Sequence, residues 1–326
     1  MVAPNTLSEA LDNLYTTTWQ NMKSVVHDQI FDATPFWFWM KANGALESVS
    51  GGRFLTEPLR YAKSERVKFI GRGGTVSLSD QEFLTEAVED WKYLVDSIVR
   101  FGVDDQKNRG KNRIISLMNA KLANSRDSLV DKIEATLPLD NTASPLSFVG
   151  LQTLVADDPT TSTKVHGIPG DTNTWWQNQT KDMTGLSFAI NGHAEMRTML
   201  NNTGNNIRND MPNIILSGQA PYEFYEDMVV EQKRIVNKKL GDAGFENIEF
   251  KGVPMIWSPT VAATRMYFLN TKFLKFKFDP SMNFDMTEWK AIPDQVNDRA
   301  AQIILAGNLM TGRRRVHGVL FAIDTA

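Results

Sequence analysis

Cysteine is absent from the chain's 326 residues, which removes disulfides, thiolate metal sites, iron–sulfur clusters and cysteine nucleophiles together. Histidine is scarce: His27, His166, His193 and His317 are the whole supply. His193-Ala194-Glu195 has the H-x-E outline of a zinc deaminase, but that site is completed by a later pair of cysteines, so the outline is void here. No H-E-x-x-H, G-x-S-x-G, Walker or Rossmann pattern occurs, so the expectation is no enzyme, no cofactor and no metal. No apolar run approaches the roughly 18 residues of a membrane span, and Met1-Val2-Ala3-Pro4-Asn5-Thr6 lacks the charged and apolar regions of a secretion signal. The chain is expected to stay in the cytoplasm of the cell that makes it, where the sequons Asn178-Gln179-Thr180 and Asn201-Asn202-Thr203 carry no meaning. A surplus of positive charge is also missing. Thirty-five Lys and Arg against 38 Asp and Glu leave a net charge of −3, so no global field draws the protein onto a polyanion.

What is present is the material of a globular protein: 42% apolar and 22% charged residues, in a length that allows two or three packed units. Residues 6–33 show a broken helical period through Leu7, Leu11, Leu14, Val25, Val26 and Ile30, which reads as an arm with helical pieces. The arm ends in Pro35-Phe36-Trp37-Phe38-Trp39-Met40, a patch that must be buried against something. It reads either as a core strand of its own chain or as an anchor into a neighbouring subunit, since aromatic side chains dominate interface hot spots.

From Gly51-Gly52 the pattern turns to strands. Arg53, Leu55, Glu57, Leu59 and Tyr61 share one face of a strand whose return runs roughly from Val88 to Phe101, with a charged tip from Lys63 to Lys68 between them. With about 15 residues per arm at roughly 3.3 Å each, such a hairpin spans about 50 Å and cannot be buried within its own subunit. Gly71-Arg72-Gly73-Gly74 lacks the G-K-[ST] ending and the strand-then-helix setting of a phosphate loop. After Asp104-Asp105 the apolar stripe Ile114, Met118, Leu122, Leu129, Ile133 and Leu137 predicts a long helix stopped by Pro138, about 45 Å long.

Residues 138–175, rich in Thr, Ser, Asp, Pro and Gly, mark a boundary. Beyond it the buried run from Asn213 to Ser217 followed by a helix from Ala220 to Gly241 predicts a strand-turn-helix module. Strands follow over Glu249–Trp257, Met266–Leu269, Phe273–Phe278, Ala301–Leu309 and Val316–Ile323; Lys275 and Lys277 alternate with Phe276 and Phe278 as on a half-exposed strand. These late strands are expected to pack on the long helix. Trp175-Trp176 is open to two readings, a stacking platform for a sugar or base, or packing at a domain edge.

Taken in order, the arm, the glycine-started hairpin, the long helix, the strand-helix unit and the late strands resemble the major capsid protein of tailed bacteriophages, an α+β chain of the HK97-type fold. Local likeness sits in Gly51-Gly52-Arg53 with Glu57-Pro58-Leu59-Arg60-Tyr61, in Ala87-Val88-Glu89-Asp90-Trp91-Lys92, and in the stretch from Gly307-Asn308-Leu309-Met310-Thr311-Gly312 through Arg313-Arg314-Arg315-Val316-His317-Gly318-Val319-Leu320. The resemblance implies an N-terminal arm at 1–47 and an extended loop at 48–92. It implies a peripheral domain with a spine helix at 93–142, an axial domain at 143–262, and peripheral strands with a C-terminal strand at 263–326. It further implies pentamers and hexamers closing into an icosahedral shell around double-stranded DNA that is held without sequence specificity. The expected partners are copies of the chain, a portal protein and a separate scaffolding protein, the last because the arm begins almost at Met1. No membrane partner is implied. The expected location is the virion, with assembly in the host cytoplasm. Subunit-interface candidates are Trp37, Phe38 and Trp39 in the patch and Arg60, Lys63, Arg66 and Lys68 in the loop. Some relatives join a loop lysine to an asparagine; no motif here identifies a partner for Lys63 or Lys68, and that chemistry is not carried over. An encapsulin-like compartment is the alternative within the shell class. An enzyme or carbohydrate-binding module without a known motif explains only Trp175-Trp176 and His193.

Overall fold

The computed structural model describes residues 35–76, 78–101, 117–140, 144–204, 210–229, 248–295 and 298–324. The expected arm over 6–33, the start of the long helix and the end of the helix expected to reach Gly241 lie outside the described residues. In chain order, α1 (Pro35–Ala42) leads to β1 (Leu46–Ser48), β2 (Leu55–Arg60), β3 (Leu84–Glu89) and β4 (Lys92–Arg100). Then come α2 (Leu117–Thr136), α3 (Leu151–Leu154), β5 (Lys164–Val165), β6 (Ile168–Pro169) and β7 (Gln179–Asp182). They are followed by α4 (Phe188–Gly204), β8 (Ile214–Ser217), α5 (Gln219–Val229), β9 (Ile248–Phe250) and β10 (Val253–Trp257). The chain finishes with β11 (Met266–Leu269), β12 (Leu274–Met286), β13 (Lys290–Ala291), β14 (Arg299–Thr311) and β15 (Gly318–Phe321).

Two compact units result, one containing Leu94–Asp131 and Phe284–Leu305, the other Thr34–Tyr93, Lys132–Asn283 and Ala306–Ala326. In the first, Leu129 of α2 packs with Ile98 of β4 and Ile303 of β14, flanked by Leu94, Phe284 and Trp289. Of the late strands, β14 and the end of β12 lie on the long helix as expected, whereas β10, β11 and β15 pack on α4 and α5 instead. Ser125 on α2 donates to the Asp96 carboxylate of β4, and the Lys121 ammonium donates to the Val99 carbonyl at 3.0 Å.

The second unit is built on a six-stranded mixed sheet in the order β7-β15-β11-β8-β10-β9. Phe188, Met196 and Leu200 of α4 and Tyr222 and Tyr225 of α5 bury against Ile215, Met255, Phe268 and Leu320 of the sheet. The expected strand-turn-helix module is here: β8 turns at Gly218 into α5, and the chain returns to β10, parallel to β8. A Cβ at Gly218 would stand 2.4 Å from the Ala262 carbonyl oxygen, so only glycine fits that turn. The run from Glu249 to Trp257 alternates poorly because it is a hairpin, not one strand. Lys251 and Gly252 both take positive φ and form the two-residue turn between Phe250 and Val253.

The sheet regroups two of the late strands. Met266–Leu269 and Gly318–Phe321, placed by the sequence reading among peripheral strands at 263–326, are hydrogen-bonded between β8 and β7. Both strands are buried on both faces or nearly so, and such runs carry no signal of which sheet they join.

A second correction concerns the aromatic patch, which is helix and not strand. Pro35 opens α1 at a position where its missing N–H is harmless. The carboxylate of Glu134, from the end of α2, accepts the Phe36 and Trp37 N–H groups at 3.1 and 2.8 Å. These are free donors of a first turn, and an anion there also suits the helix dipole. Trp37 and Trp39 are buried in their own chain, Trp37 packing edge-on to Phe276 at 5.3 Å, while Phe38 is half-buried. A third correction is Lys277, which is not half-exposed but 4% exposed, donating to the Thr56 carbonyl at 2.7 Å and pairing with Glu57.

Candidate functional site

Strands β2 and β3 form a two-stranded ribbon with Leu55 opposite Glu89 and Arg60 opposite Leu84. The return arm is thus Leu84–Glu89 rather than Val88 to Phe101. The ladder holds six residue pairs, about 20 Å of strand, instead of about 15. Leu55, Leu59 and Ala87 point inward and pack on Ile168, Trp176 and Met310; Thr56, Pro58 and Arg60 face out. Past Tyr61 the alternation ends, and with it the side chains that hold a ribbon to a core.

The loop between the arms is pinned at its neck. The Gln81 side chain donates to the Lys63 carbonyl at 3.1 Å and accepts the Glu65 N–H at 3.1 Å, and Tyr61 Oη donates to the Glu82 carbonyl at 3.1 Å. Further out a turn closes from the Gly74 N–H to the Gly71 carbonyl at 2.9 Å, with Gly73 at φ +82°. Around that turn Val67 is 86%, Leu78 93% and Phe69 fully exposed, with Ile70 and Val76 more than half exposed. Five apolar side chains are thus bare within a dozen residues, the kind of patch that marks an interaction site. Of the loop candidates, Arg60, Lys63 and Lys68 are exposed; Arg66 is half-buried, its Nε lacking an acceptor.

At the ribbon's root lies a cleft of about 980 Å³ between Pro58–Ser64, the Trp175-Trp176 pair and Gly312–Arg315. Tyr61 and Trp175 stack obliquely at 5.6 Å, as do Trp175 and Trp176. Trp176 is buried and donates its indole N–H to the Val165 carbonyl at 3.2 Å. The pair is occupied in packing the loop root, which is the domain-edge reading of those residues. Arg313 pairs with Asp210 at 2.7 Å, while Arg314 is buried, donates Nε to the Leu154 carbonyl at 2.6 Å and has its pKa pulled down to about 10 by burial.

Two histidines, His166 and His317, hold this root. His166 sits at positive φ in the His166-Gly167 turn between β5 and β6. Its Nε2 accepts the Thr311 N–H at 3.3 Å, so Nδ1 carries the proton donated to Glu89 of β3 at 3.0 Å, and its carbonyl accepts the Val88 N–H at 3.1 Å. His317 is fully buried; its Nδ1 accepts the Asn270 N–H at 3.3 Å and its Nε2 faces the Thr311 hydroxyl at 3.1 Å. Burial first, and the nearby Arg314 charge second, push its pKa down to about 3. Sequence reasoning missed Glu134, His166, Arg314 and Lys277 as structural groups; only His166-Gly167, flanked by Val165 and Ile168, carried a local signal, that of a hairpin turn. Among the described residues, no cluster of His, Asp and Glu is arranged to hold a metal, and no helix is long and apolar enough to cross a membrane.

No family model and no curated protein sequence matches the chain. Solved structures do. The cyanophage A-1(L) capsid subunit superposes with a TM-score of 0.68 at 16% identity, over 92% of this chain and 96% of that one. The capsid protein of the Myoviridae phage XM1 gives 0.56 at 9% identity, over 93% and 98%. The SrpI encapsulin of Synechococcus elongatus gives 0.52 at 10% identity, over 95% and 96%. The chain has the α+β HK97-type capsid fold.

Proposed function

We propose that this chain is the major capsid protein of a tailed bacteriophage, a structural subunit that closes through pentamers and hexamers into an icosahedral shell around double-stranded DNA. The observation that carries the reading is the loop between β2 and β3: a fold shared along nearly the whole length with phage capsid subunits places its barest apolar side chains, Val67, Phe69 and Leu78, on a segment with no core of its own. Surface of that kind is covered when copies meet. Arg60, Lys63, Arg66 and Lys68 lie along the same segment and are the interface cations of this reading; of the aromatic patch, Phe38 is the residue with surface left to offer. The shell contains DNA by enclosure and not by base recognition, in keeping with a net charge of −3. A scaffolding protein and a portal protein are its partners in assembly, the host cytoplasm the place of assembly and the virion its destination.

A second reading, an encapsulin-like compartment, has the SrpI superposition behind it, at a lower TM-score than the cyanophage capsid. The test is to purify the chain, alone and with its scaffolding protein, and follow it by light scattering and negative-stain microscopy. Closed shells or five- and six-membered rings are expected. A stable 36.7 kDa monomer at high concentration under both conditions overturns both readings. Shells that carry a protein cargo and no nucleic acid favour the compartment.

A further inference from the structure

The cleft at the ribbon's root is one-sided in charge. Its lining carries Arg60, Lys63, Arg313, Arg314 and Arg315 and neither aspartate nor glutamate. The acids that reach these residues are taken: Asp210 pairs with Arg313 at 2.7 Å, and Glu57, whose carboxylate lies beside Gly312, pairs with Lys277. Glu65, next to the lining in sequence, is exposed and does not join it. Arg60, Lys63, Arg314 and Arg315 form no ion pair among the described residues.

Arg314 separates this cleft from an ordinary basic surface. It is only 2% exposed, yet it lines the cleft, and its Nε donates to the Leu154 carbonyl, which lies outside the lining. Its two terminal amino groups meet no acceptor among the described residues. With a pKa near 10 the guanidinium stays charged at neutral pH. A neutral carbonyl satisfies one of its five N–H donors and leaves the charge without a counter-ion, which is costly for a buried group. An apolar side chain of similar volume fills such a position without that cost, so packing alone does not account for an arginine there. We propose that the cleft is an anion site for a phosphate group, with the terminal amino groups of Arg314 at its floor and the exposed Arg60, Lys63 and Arg315 at its rim. Four cations without a counter-ion suit a dianion better than a carboxylate, and the planar arginine fork binds phosphate oxygens in pairs. A volume of about 980 Å³ exceeds what inorganic phosphate fills, and the half-buried Tyr61 and Trp175 rings, 5.6 Å apart, supply an apolar wall for a ring carried on the phosphate. The inference goes beyond the shell reading and does not rest on it.

Calorimetry on the full chain tests this, with inorganic phosphate and adenosine 5′-monophosphate as probes and sodium chloride holding the ionic strength constant. The parent is expected to give a saturable heat with one phosphate per chain, and a melting temperature that rises with phosphate and not with chloride. Arg60→Gln/Arg315→Gln changes two exposed positions; it is expected to keep the parent's circular dichroism and to bind phosphate about tenfold more weakly or worse. Arg314→Met distinguishes a ligand-binding arginine from a structural one. Its melting temperature is expected to fall further behind the parent's as phosphate is added, whereas a purely structural arginine keeps that gap constant and overturns the site. If Arg314→Met does not fold, the Arg60→Gln/Arg315→Gln variant decides alone. Tighter binding of the nucleotide than of inorganic phosphate supports the site with an organic phosphate as its ligand, and equal binding supports it with free phosphate. No phosphate-specific heat in the parent, or parental affinity in Arg60→Gln/Arg315→Gln, overturns the site and leaves the shell reading, which assembly tests, untouched.

Discussion

The carboxylate of Glu134 accepts the backbone N–H of Trp37 at 2.8 Å, 97 residues earlier in the chain. One side chain at the end of α2 thereby caps the first turn of α1 and fixes where the aromatic patch enters the core. Glu134→Ala leaves two N–H groups unsatisfied in a buried setting and is expected to cost about 1–3 kcal/mol. Glu134→Gln keeps one acceptor oxygen and is expected to recover part of that loss. Chemical denaturation followed by tryptophan fluorescence and near-ultraviolet circular dichroism reads both; equal stability of the alanine variant and the parent refutes the cap.

Under the shell reading, Trp37 and Phe69 separate folding from assembly. Trp37 is 9% exposed and packed on Phe276, so Trp37→Ala is expected to lose about 3–5 kcal/mol of subunit stability. Phe69 touches no core, and Phe69→Ala is expected to leave the subunit's unfolding curve within about 0.5 kcal/mol of the parent while lowering the yield of shells. A Trp37→Ala variant of parental stability refutes the first expectation, and a Phe69→Ala variant that assembles at parental yield refutes the second.

The same comparison marks what the sequence holds. The β8 to α5 module and the burial of Leu129 and Ile133 on the long helix are written in local period, and each is found. What the chain does with distant partners is not written locally. Lys277 alternates with phenylalanines as a solvent-facing lysine does, yet Glu57, 220 residues away, meets it and holds it inside. The run of aromatics after Pro35 fits a strand by propensity and becomes helix because Glu134 caps it and the core accepts one face of it. In the loop, the ladder stops after six pairs because the buried alternation of Leu55 and Leu59 is not continued, while the charges that follow were legible from the start.

His317 makes stability depend on pH with a definite sign. Its pKa is about 3 in the folded chain and about 6.5 when unfolded, so below pH 6.5 the unfolded state takes up a proton that the folded state refuses. The stability tied to its neutral form is complete above pH 6.5 and is lost as pH falls toward 3. The slope approaches about 1.4 kcal/mol per pH unit for that one proton. His317→Gln keeps a polar group between the Asn270 N–H and the Thr311 hydroxyl and removes the titration. Unfolding free energies measured from pH 7.5 to 4.5 are expected to fall more steeply for the parent by close to one proton. Parallel curves for the two proteins refute the assignment.

Hydrogen exchange reads the loop in its two states. Among the described residues between Ala62 and Phe83 the backbone donors with a protein acceptor are few, among them the Gly74 N–H on the Gly71 carbonyl and the Glu65 N–H on Gln81. In the isolated subunit these amides are expected to exchange near the rate of open chain, while Ile214–Ser217 and Met266–Leu269 at the centre of the six-stranded sheet exchange only on global unfolding. If copies assemble as proposed, the loop is expected to gain neighbours over Val67, Phe69 and Leu78, and its exchange to slow by at least tenfold with the central strands unchanged. Peptide-resolved mass spectrometry of subunit and shell measures both. Protection of the loop already complete in the isolated subunit means that the loop finds its partners within its own chain, and it removes the reason for assigning those bare apolar side chains to a contact between copies.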